Sequence, residues 1–474
     1  MSGFPRACSK GSIEGEPTGG KGMEHLDAIV IGMGPGGELV AGRLLEADKN
    51  IAVVERELIG GECGYYACIP TKVLLRSPEA QLQAVGTAGV SRPQLDWAGL
   101  RSYRDGMIRH LDDSAQVSQL QDSGARVLRG QARLVGRNPW RVRVGEEELT
   151  ADHVVVATGA ESARPPIDGL DTLGSNTVWT NREATTLTRI PRRAVVVGGS
   201  AVGIELSQFL ARLGTQVTVV QRGPRLLDRE DPRLCQLIAE QFDREGIDVR
   251  LDTQAVSARQ NGSGAMVVLD SGKRVPTDVI VLAAGRSPRG DQLALEEHGV
   301  ALDGTALAVD EHCRAAPGLW GVGDVTGQAL FTHVAKYQGR VVADNILGTD
   351  RRADYTAIPR VVFAHPEIAA VGLTEEQAHE QGLDPVATEV DLTEALARPW
   401  TYETDPQGHL GLVADRTEAV LVGAWAFGPL AAEWIHLAAF AIRAKIPLAV
   451  LQDAIVQFPT FSEGYLVALD QLDV

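Results

Sequence analysis

Short, unbroken apolar runs recur along the chain, and glycine follows them almost at once: AIVI (28–31) before Gly32, AVVV (194–197) before Gly198, and VVVA (154–157) before Thr158 and Gly159. Runs without polar alternation read as strands buried on both faces, which is the environment of a parallel sheet covered by helices. The stretches after the first two glycine turns change to helical spacing, so 28–45 and 194–214 each predict strand, tight turn and helix. A further strand, IAVVE, ends at Glu55, and VTVV leads to Gln221. Residues 73–125 read as mostly helical and 127–144 as a meander of short strands. VIVLAAGRSPRG (279–290) and LWGVGDVTG (319–327) are strands running into glycine-flanked turns. From about residue 351 the pattern changes: VVFAHPEIAAVGL is strand-like, 405–408 is hairpin-like, and 431–445 is an apolar helix.

The glycines carry the first chemical inference. Gly32, Gly34 and Gly37 form G-x-G-x-x-G between a strand and a helix, and Glu55 stands 23 residues after Gly32. Such glycines let a pyrophosphate approach a helix N-terminus, while a carboxylate at the next strand end accepts from ribose hydroxyls. The bland alternative is a tight turn in some other α/β protein. Gly198, Ser200 and Gly203 repeat the arrangement, but its second strand ends in Gln221 and Arg222, with Arg225 close by. Exchanging a carboxylate for arginine suits a 2′-phosphate, so NADPH is expected in preference to NADH. The plain reading is that these arginines are solvated surface charges.

Cys63 and Cys68 lie in GGECGYYACIPTK (60–72), directly after the first nucleotide unit. They fit no common zinc spacing, and no second Cys or His pair stands nearby. A dithiol that opens and closes is the better reading, against that of two buried apolar cysteines. Pro70 suits a first helical turn, which puts Cys68 at or near a helix N-terminus, where a thiolate is favoured. Two nucleotides joined to a dithiol point to hydride relay through a flavin.

Length and charge narrow the class. The 474 residues, 51 of them glycine, leave room for two to four domains, and a formal charge of −17 offers no basic face for nucleic acid. No run reaches the 18 apolar residues of a membrane span. Of five cysteines, Cys8, Cys235 and Cys313 are scattered singles that build no disulfide framework, which points to a reducing, cytoplasmic compartment. Residues 1–22 lack a secretory core and read as disordered, with Met23 an alternative start.

Together GGECGYYACIPTK, GDVTG and FAHPEIAAVGLTEEQA resemble the pyridine nucleotide-disulfide oxidoreductases, over roughly residues 24–470. The resemblance implies an α/β fold with two Rossmann-like domains, for FAD and NAD(P), plus a C-terminal α+β dimerisation domain, in a homodimer. It divides the chain into a tail (1–23), an FAD domain (24–170 and 285–350), an NAD(P) domain (171–284) and a dimerisation domain (351–474). It places FAD on Gly32, Gly34, Gly37, Glu55, Lys72, Thr158, Gly159 and Asp324, with Ala132 and His333 nearby. NAD(P)H is expected over Gly198, Ser200, Gly203, Gln221, Arg222, Ala283, Gly285 and Arg286. Cys68 becomes the flavin-side thiol, Cys63 the outer one, and Lys72 with Glu205 an ion pair near the flavin; an ordinary helix carboxylate is the alternative for Glu205.

There are departures from the family's pattern. Where its disulfide reductases read H-P-T-x-S-E, with the His activating the interchange thiol of the partner subunit and the Glu orienting it, this chain has Phe458-Pro459-Thr460-Phe461-Ser462-Glu463, so the general base is absent and Glu463 either acts directly or caps local backbone. Tyr65 and Tyr66 replace smaller residues and either donate a hydrogen bond or pack. The C-terminal cysteine pair of mercuric reductases is missing. The expected activity is therefore hydride transfer from NADPH through FAD to the Cys63–Cys68 disulfide and on to a small-molecule or disulfide acceptor other than lipoamide or glutathione disulfide. The alternatives are a quinone, metal or dye reductase or transhydrogenase with electrons leaving from FAD, and a non-catalytic flavoprotein subunit.

Overall fold

The first expected strand is β1 (His25–Ile31), which pairs in parallel with β2 (Ile51–Glu55) on one side and with Glu147–Val156 on the other. This is the middle of an eight-stranded sheet, and its central strands are buried on both faces because helices cover them. Helix α1 (Pro35–Glu46) crosses from β1 to β2 and packs on helix Thr332–Ile346. The computed structural model describes residues 25–473, so the N-terminal tail lies outside the described residues.

A second, wholly parallel sheet of five strands has Arg193–Val197 at its centre, between Gln216–Val220 and Val279–Leu282. Helix Ala201–Arg212 follows its central strand as α1 follows β1. The C-terminal block is built differently, as five antiparallel strands in the order Arg360–Val362, Glu367–Gly372, Val420–Gly428, His409–Asp415 and Pro385–Asp391.

Three local expectations change. The start of the expected meander is β3 (Arg126–Arg129), which runs parallel to β2 in register with residues 52–55; Ala132–Gly136 and Trp140–Val144 do form a meander, continued antiparallel into Glu147–Val156. Alternation alone does not distinguish a sheet-edge strand from a meander strand. Residues 405–408 are not a tight turn but the end of a long connection, through the short helix Arg398–Tyr402, between the antiparallel neighbours Pro385–Asp391 and His409–Asp415. A tight hairpin turn follows the latter strand, where Ala419 takes a φ of 51° and the Asp415 carboxylate accepts from the backbone of Thr417 and Glu418. The helix expected over 431–445 is two pieces, Ala431–Trp434 and His436–Arg443; the Tyr465 hydroxyl donates to the Trp434 carbonyl at the joint, at 3.1 Å.

Candidate functional site

A cavity of about 890 Å³ runs from the first glycine turn to the second, and the 60–72 segment forms part of its wall. At the first turn Gly32 has φ +96°, and a Cβ there would fall 2.3 Å from the Ala157 carbonyl oxygen; one on Gly37 would fall 2.0 Å from Gly32 O. These two glycines close the turn. Gly34, the N-cap of α1, has no atom within 4 Å of its absent Cβ and no side chain on the N–H groups behind it. An open glycine at an uncapped N-terminus is a cradle fitted to a pyrophosphate. Glu55 is buried, accepting from Met33 N and Glu57 N at 2.8 Å each, which fixes its carboxylate beside the cradle.

Ala132, Thr158, Gly159, Asp324 and His333 line the same cavity. The Thr158 hydroxyl donates to Arg289 O at 3.1 Å. Asp324 lies 2.8 Å from Arg286; burial raises its pKa and the Arg286 guanidinium opposes that rise. Arg286, expected over the second nucleotide, thus reaches across to the acidic residue of the first. His333 is the second residue of helix Thr332–Ile346 and stacks on Phe331, and burial holds its pKa down.

The second turn repeats the first. A Cβ on Gly198 would meet Ala283 O at 2.3 Å, and one on Gly203 would meet Gly198 O at 2.1 Å. Ser200, in the open position, caps helix Ala201–Arg212 and donates to Ala283 O at 2.8 Å. Gln221 accepts from Gly199 N at 2.9 Å, as Glu55 accepts from Met33, so the tie is kept while the charge is removed. Ala283 and Gly285 form the facing wall. Arg222 is exposed with no ion pair among the described residues, and Arg225 has a buried Nε without a hydrogen-bond partner.

Between the cradles lies the dithiol. Cys63 sits in α2 (Gly61–Tyr65), and Cys68 is the first residue of α3 (Cys68–Gly86), where the sequence put it. Both are free thiols here. Cys68 Sγ lies 3.3 Å from the Thr332 hydroxyl, and the Cys63 side chain hydrogen-bonds to it. That bond, Thr332, Lys72 and the local backbone lower the Cys68 pKa against the opposing effect of burial. The same bond, followed by burial, raises that of Cys63. The surroundings thus polarise the pair, favouring negative charge on Cys68 over Cys63. Lys72, one turn along α3, holds both Glu205 oxygens at 3.1 and 2.8 Å, and Glu205 also accepts from Phe363 N at 2.9 Å.

Tyr65 is buried beside Arg109, whose guanidinium lies 5.8 Å from the ring centre, and Tyr66 lines the cavity. Glu463 accepts from Thr460 N at 3.0 Å, a local cap, and Phe458 is 65% exposed; neither lines this cavity. Sequence reasoning missed Thr332, Glu62, Asn181 and Arg182. The spacing of Thr180 and Glu183 signals a capping box, but nothing in it reveals the contact that Asn181 and Arg182 make with the redox loop.

Residues 26–339 match the family model described as pyridine nucleotide-disulphide oxidoreductase, and residues 358–468 match its dimerisation domain. The chain belongs to this family. It is 34% identical to a dihydrolipoyl dehydrogenase of Thermus scotoductus over 95% of this chain and 98% of that one. It is 32% identical to a mercuric reductase of Shigella flexneri over 96% of this chain and 81% of that protein. Among solved structures it is similar to the HOCl-induced flavoprotein disulfide reductase RclA of Escherichia coli, with a TM-score of 0.83, 26% identity, and coverage of 94% of this chain and 99% of that one. LpdA of Mycobacterium tuberculosis gives a TM-score of 0.84 at 25% identity, over 94% and 99% of the two chains. As a pyridine nucleotide-disulphide oxidoreductase the protein is an FAD enzyme with a nicotinamide nucleotide, NAD(P)H, as substrate, and it carries the family's dimerisation domain, consistent with a homodimer. No helix among the described residues is long and apolar enough to cross a membrane.

Proposed function

We propose that this oxidoreductase takes electrons from NADPH and delivers them through the Cys63–Cys68 pair to an acceptor other than lipoamide or glutathione disulfide, in the cytoplasm. The observation that carries the reading is the polarised dithiol: Cys68 at the N-terminus of α3 beside Thr332, one turn from the Lys72–Glu205 pair, in the cavity that joins both glycine cradles. FAD, when bound, supplies a carrier that accepts a hydride and passes on two electrons.

Each protein group has a distinct task. The open Gly34 cradle and Glu55 hold the dinucleotide, with Ala132, Thr158, Gly159, Asp324 and His333 along its length, so residues 24–170 and 285–350 act as the FAD unit. Gly198, Ser200, Gly203, Ala283 and Gly285 receive the pyridine nucleotide, and Arg222 takes the 2′-phosphate that Gln221, being neutral, does not repel. Residues 171–284 are then its unit and 351–474 the dimerisation unit. Glu205, only 7% exposed, fixes the Lys72 ammonium on the cavity wall, where it favours negative charge on its neighbours. On reduction of the disulfide two electrons break the S–S bond, Cys68 is left as thiolate, and Cys63 takes a proton.

Cys63 then faces outward without the usual base. Phe458 neither gives nor takes a proton, so this chain favours acceptors whose leaving group needs none, such as a disulfide with a low-pKa thiol. Anaerobic titration of the flavin-loaded protein with NADPH and NADH, followed by an acceptor screen with and without Cys63→Ser and Cys68→Ser, tests the reading. Retained turnover in both serine variants with the best acceptor would assign electron exit to the flavin instead.

A further inference from the structure

Helix α2, which carries Cys63, is only five residues long and follows two left-handed glycines, Gly60 and Gly61, with φ of 116° and 62°. A helix this short does not hold its place unaided. One other short helix, Asn181–Thr185, grips the loop on both sides of Cys63. Before it, Glu62 accepts from Arg182 Nε at 2.8 Å and from Arg182 Nη2, while its second oxygen accepts from Asn181 at 3.2 Å. After it, the Tyr66 carbonyl accepts from Asn181 at 2.9 Å and from the Thr185 hydroxyl at 3.1 Å. The Arg182 guanidinium lies 4.5 Å from the centre of the Tyr66 ring and 2.8 Å from Glu57, just past β2.

The gripping helix is itself anchored. Thr180 and Glu183 close its N-terminus with a capping box, and the buried Arg104 donates to the carbonyls of Thr185 and Leu187 at its other end. Burial alone would lower the Arg182 pKa, but Glu62 and Glu57 more than offset it, so the cation is secure. A planar guanidinium is suited to this double duty of forked hydrogen bonding and ring stacking.

We propose that Arg182 is a positioning residue for the redox dithiol: by clamping Glu62 and Tyr66 it holds Cys63 against Cys68, so the reactivity of the pair depends on the helix that leads into the second nucleotide unit. This rests on the redox reading of the two cysteines. Without the guanidinium, Glu57 and Glu62 lose the cation they share and α2 is held only by the Asn181 and Thr185 hydrogen bonds, so the Cys63 hydrogen bond that stabilises the Cys68 thiolate is weakened.

The test uses flavin-loaded, two-electron-reduced protein with Arg182→Met and Arg182→Lys. In Arg182→Met the pH midpoint of the long-wavelength thiolate absorbance is expected to rise by about one unit, and Cys63 alkylation by iodoacetamide to become faster. In Arg182→Lys, which keeps the charge but loses the fork and the stack, a smaller shift in the same directions is expected, and this variant carries the test if the methionine one does not fold. Folded variants with the wild-type midpoint and alkylation rate, whatever their melting temperature, overturn the clamp alone. A wild type with no titrating thiolate absorbance overturns the redox reading and the clamp with it.

Discussion

Alanine at Gly34 and at Gly37 should have opposite consequences. At Gly37 the new Cβ falls 2.0 Å from the Gly32 carbonyl oxygen, a backbone atom, so the turn must open by roughly an ångström. Overpacking of this kind costs about 1–3 kcal/mol, and it should lower the stability of the flavin-free protein directly. At Gly34 the backbone is ordinary, with φ −75°, and nothing stands within 4 Å. Replacing an N-cap glycine by alanine loses about 0.5–1 kcal/mol, and the stiffer unfolded chain returns about 0.4–1 kcal/mol, so stability should hardly change. The Cβ nevertheless projects into the cradle. Displacing one charge-assisted hydrogen bond to a pyrophosphate costs about 1.5–3 kcal/mol, roughly a ten- to hundredfold loss of FAD affinity. Urea denaturation of the flavin-free variants and FAD titration followed by flavin fluorescence separate the two effects. If Gly34→Ala binds FAD as the wild type does, or destabilises the flavin-free protein as much as Gly37→Ala, the cradle argument is wrong.

Other outcomes follow from the same geometry. Arg222→Gln should raise the KM for NADPH about tenfold, the value of one charge-assisted contact, and leave that for NADH unchanged; equal effects on both would reduce Arg222 to a surface charge. Phe458→His, at the position whose histidine in the family's disulfide reductases serves the interchange thiol of the partner subunit, should raise turnover of the dimer with disulfide acceptors by up to about 10²–10⁴, measured in steady state; no gain would mean that proton supply does not limit this enzyme. The Cys68 pKa is pulled down to about 6, chiefly by the Cys63 hydrogen bond. A lowered pKa means thiolate above it and thiol below, so the thiolate absorbance of reduced protein should persist through neutral pH and fade as pH falls through about 6. A midpoint near the ordinary thiol range would deny the polarisation.

The two glycine cradles were legible in the sequence because they answer to local geometry: only glycine fits at Gly32, Gly37, Gly198 and Gly203, and each follows a buried strand. Glu55 and Gln221 were legible for the same reason, as residues at strand ends a fixed distance on. Cys68 could be placed at a helix start from Pro70. The Lys72–Glu205 pair joins residues 133 apart and was reached only through resemblance. Glu62 and Arg182, 120 residues apart, carry no local signal, and Tyr66 between them gave no sign that its carbonyl and ring are both held. The position of Arg286 in sequence, just after Ala283, gave no sign that its side chain reaches Asp324. The reversal around 405–408 is similar, since polar and small residues mark it without giving its length, here the long connection 392–408 between two antiparallel neighbours.

Anaerobic reduction of the flavin-loaded Cys63→Ser and Cys68→Ser variants, read at long wavelength, asks directly which sulfur faces the flavin and whether the pair carries electrons. The polarised dithiol predicts that Cys63→Ser keeps the thiolate absorbance, with Cys68 its source, and that Cys68→Ser loses it. Absorbance that survives in Cys68→Ser, or none in the wild type, contradicts the assignment.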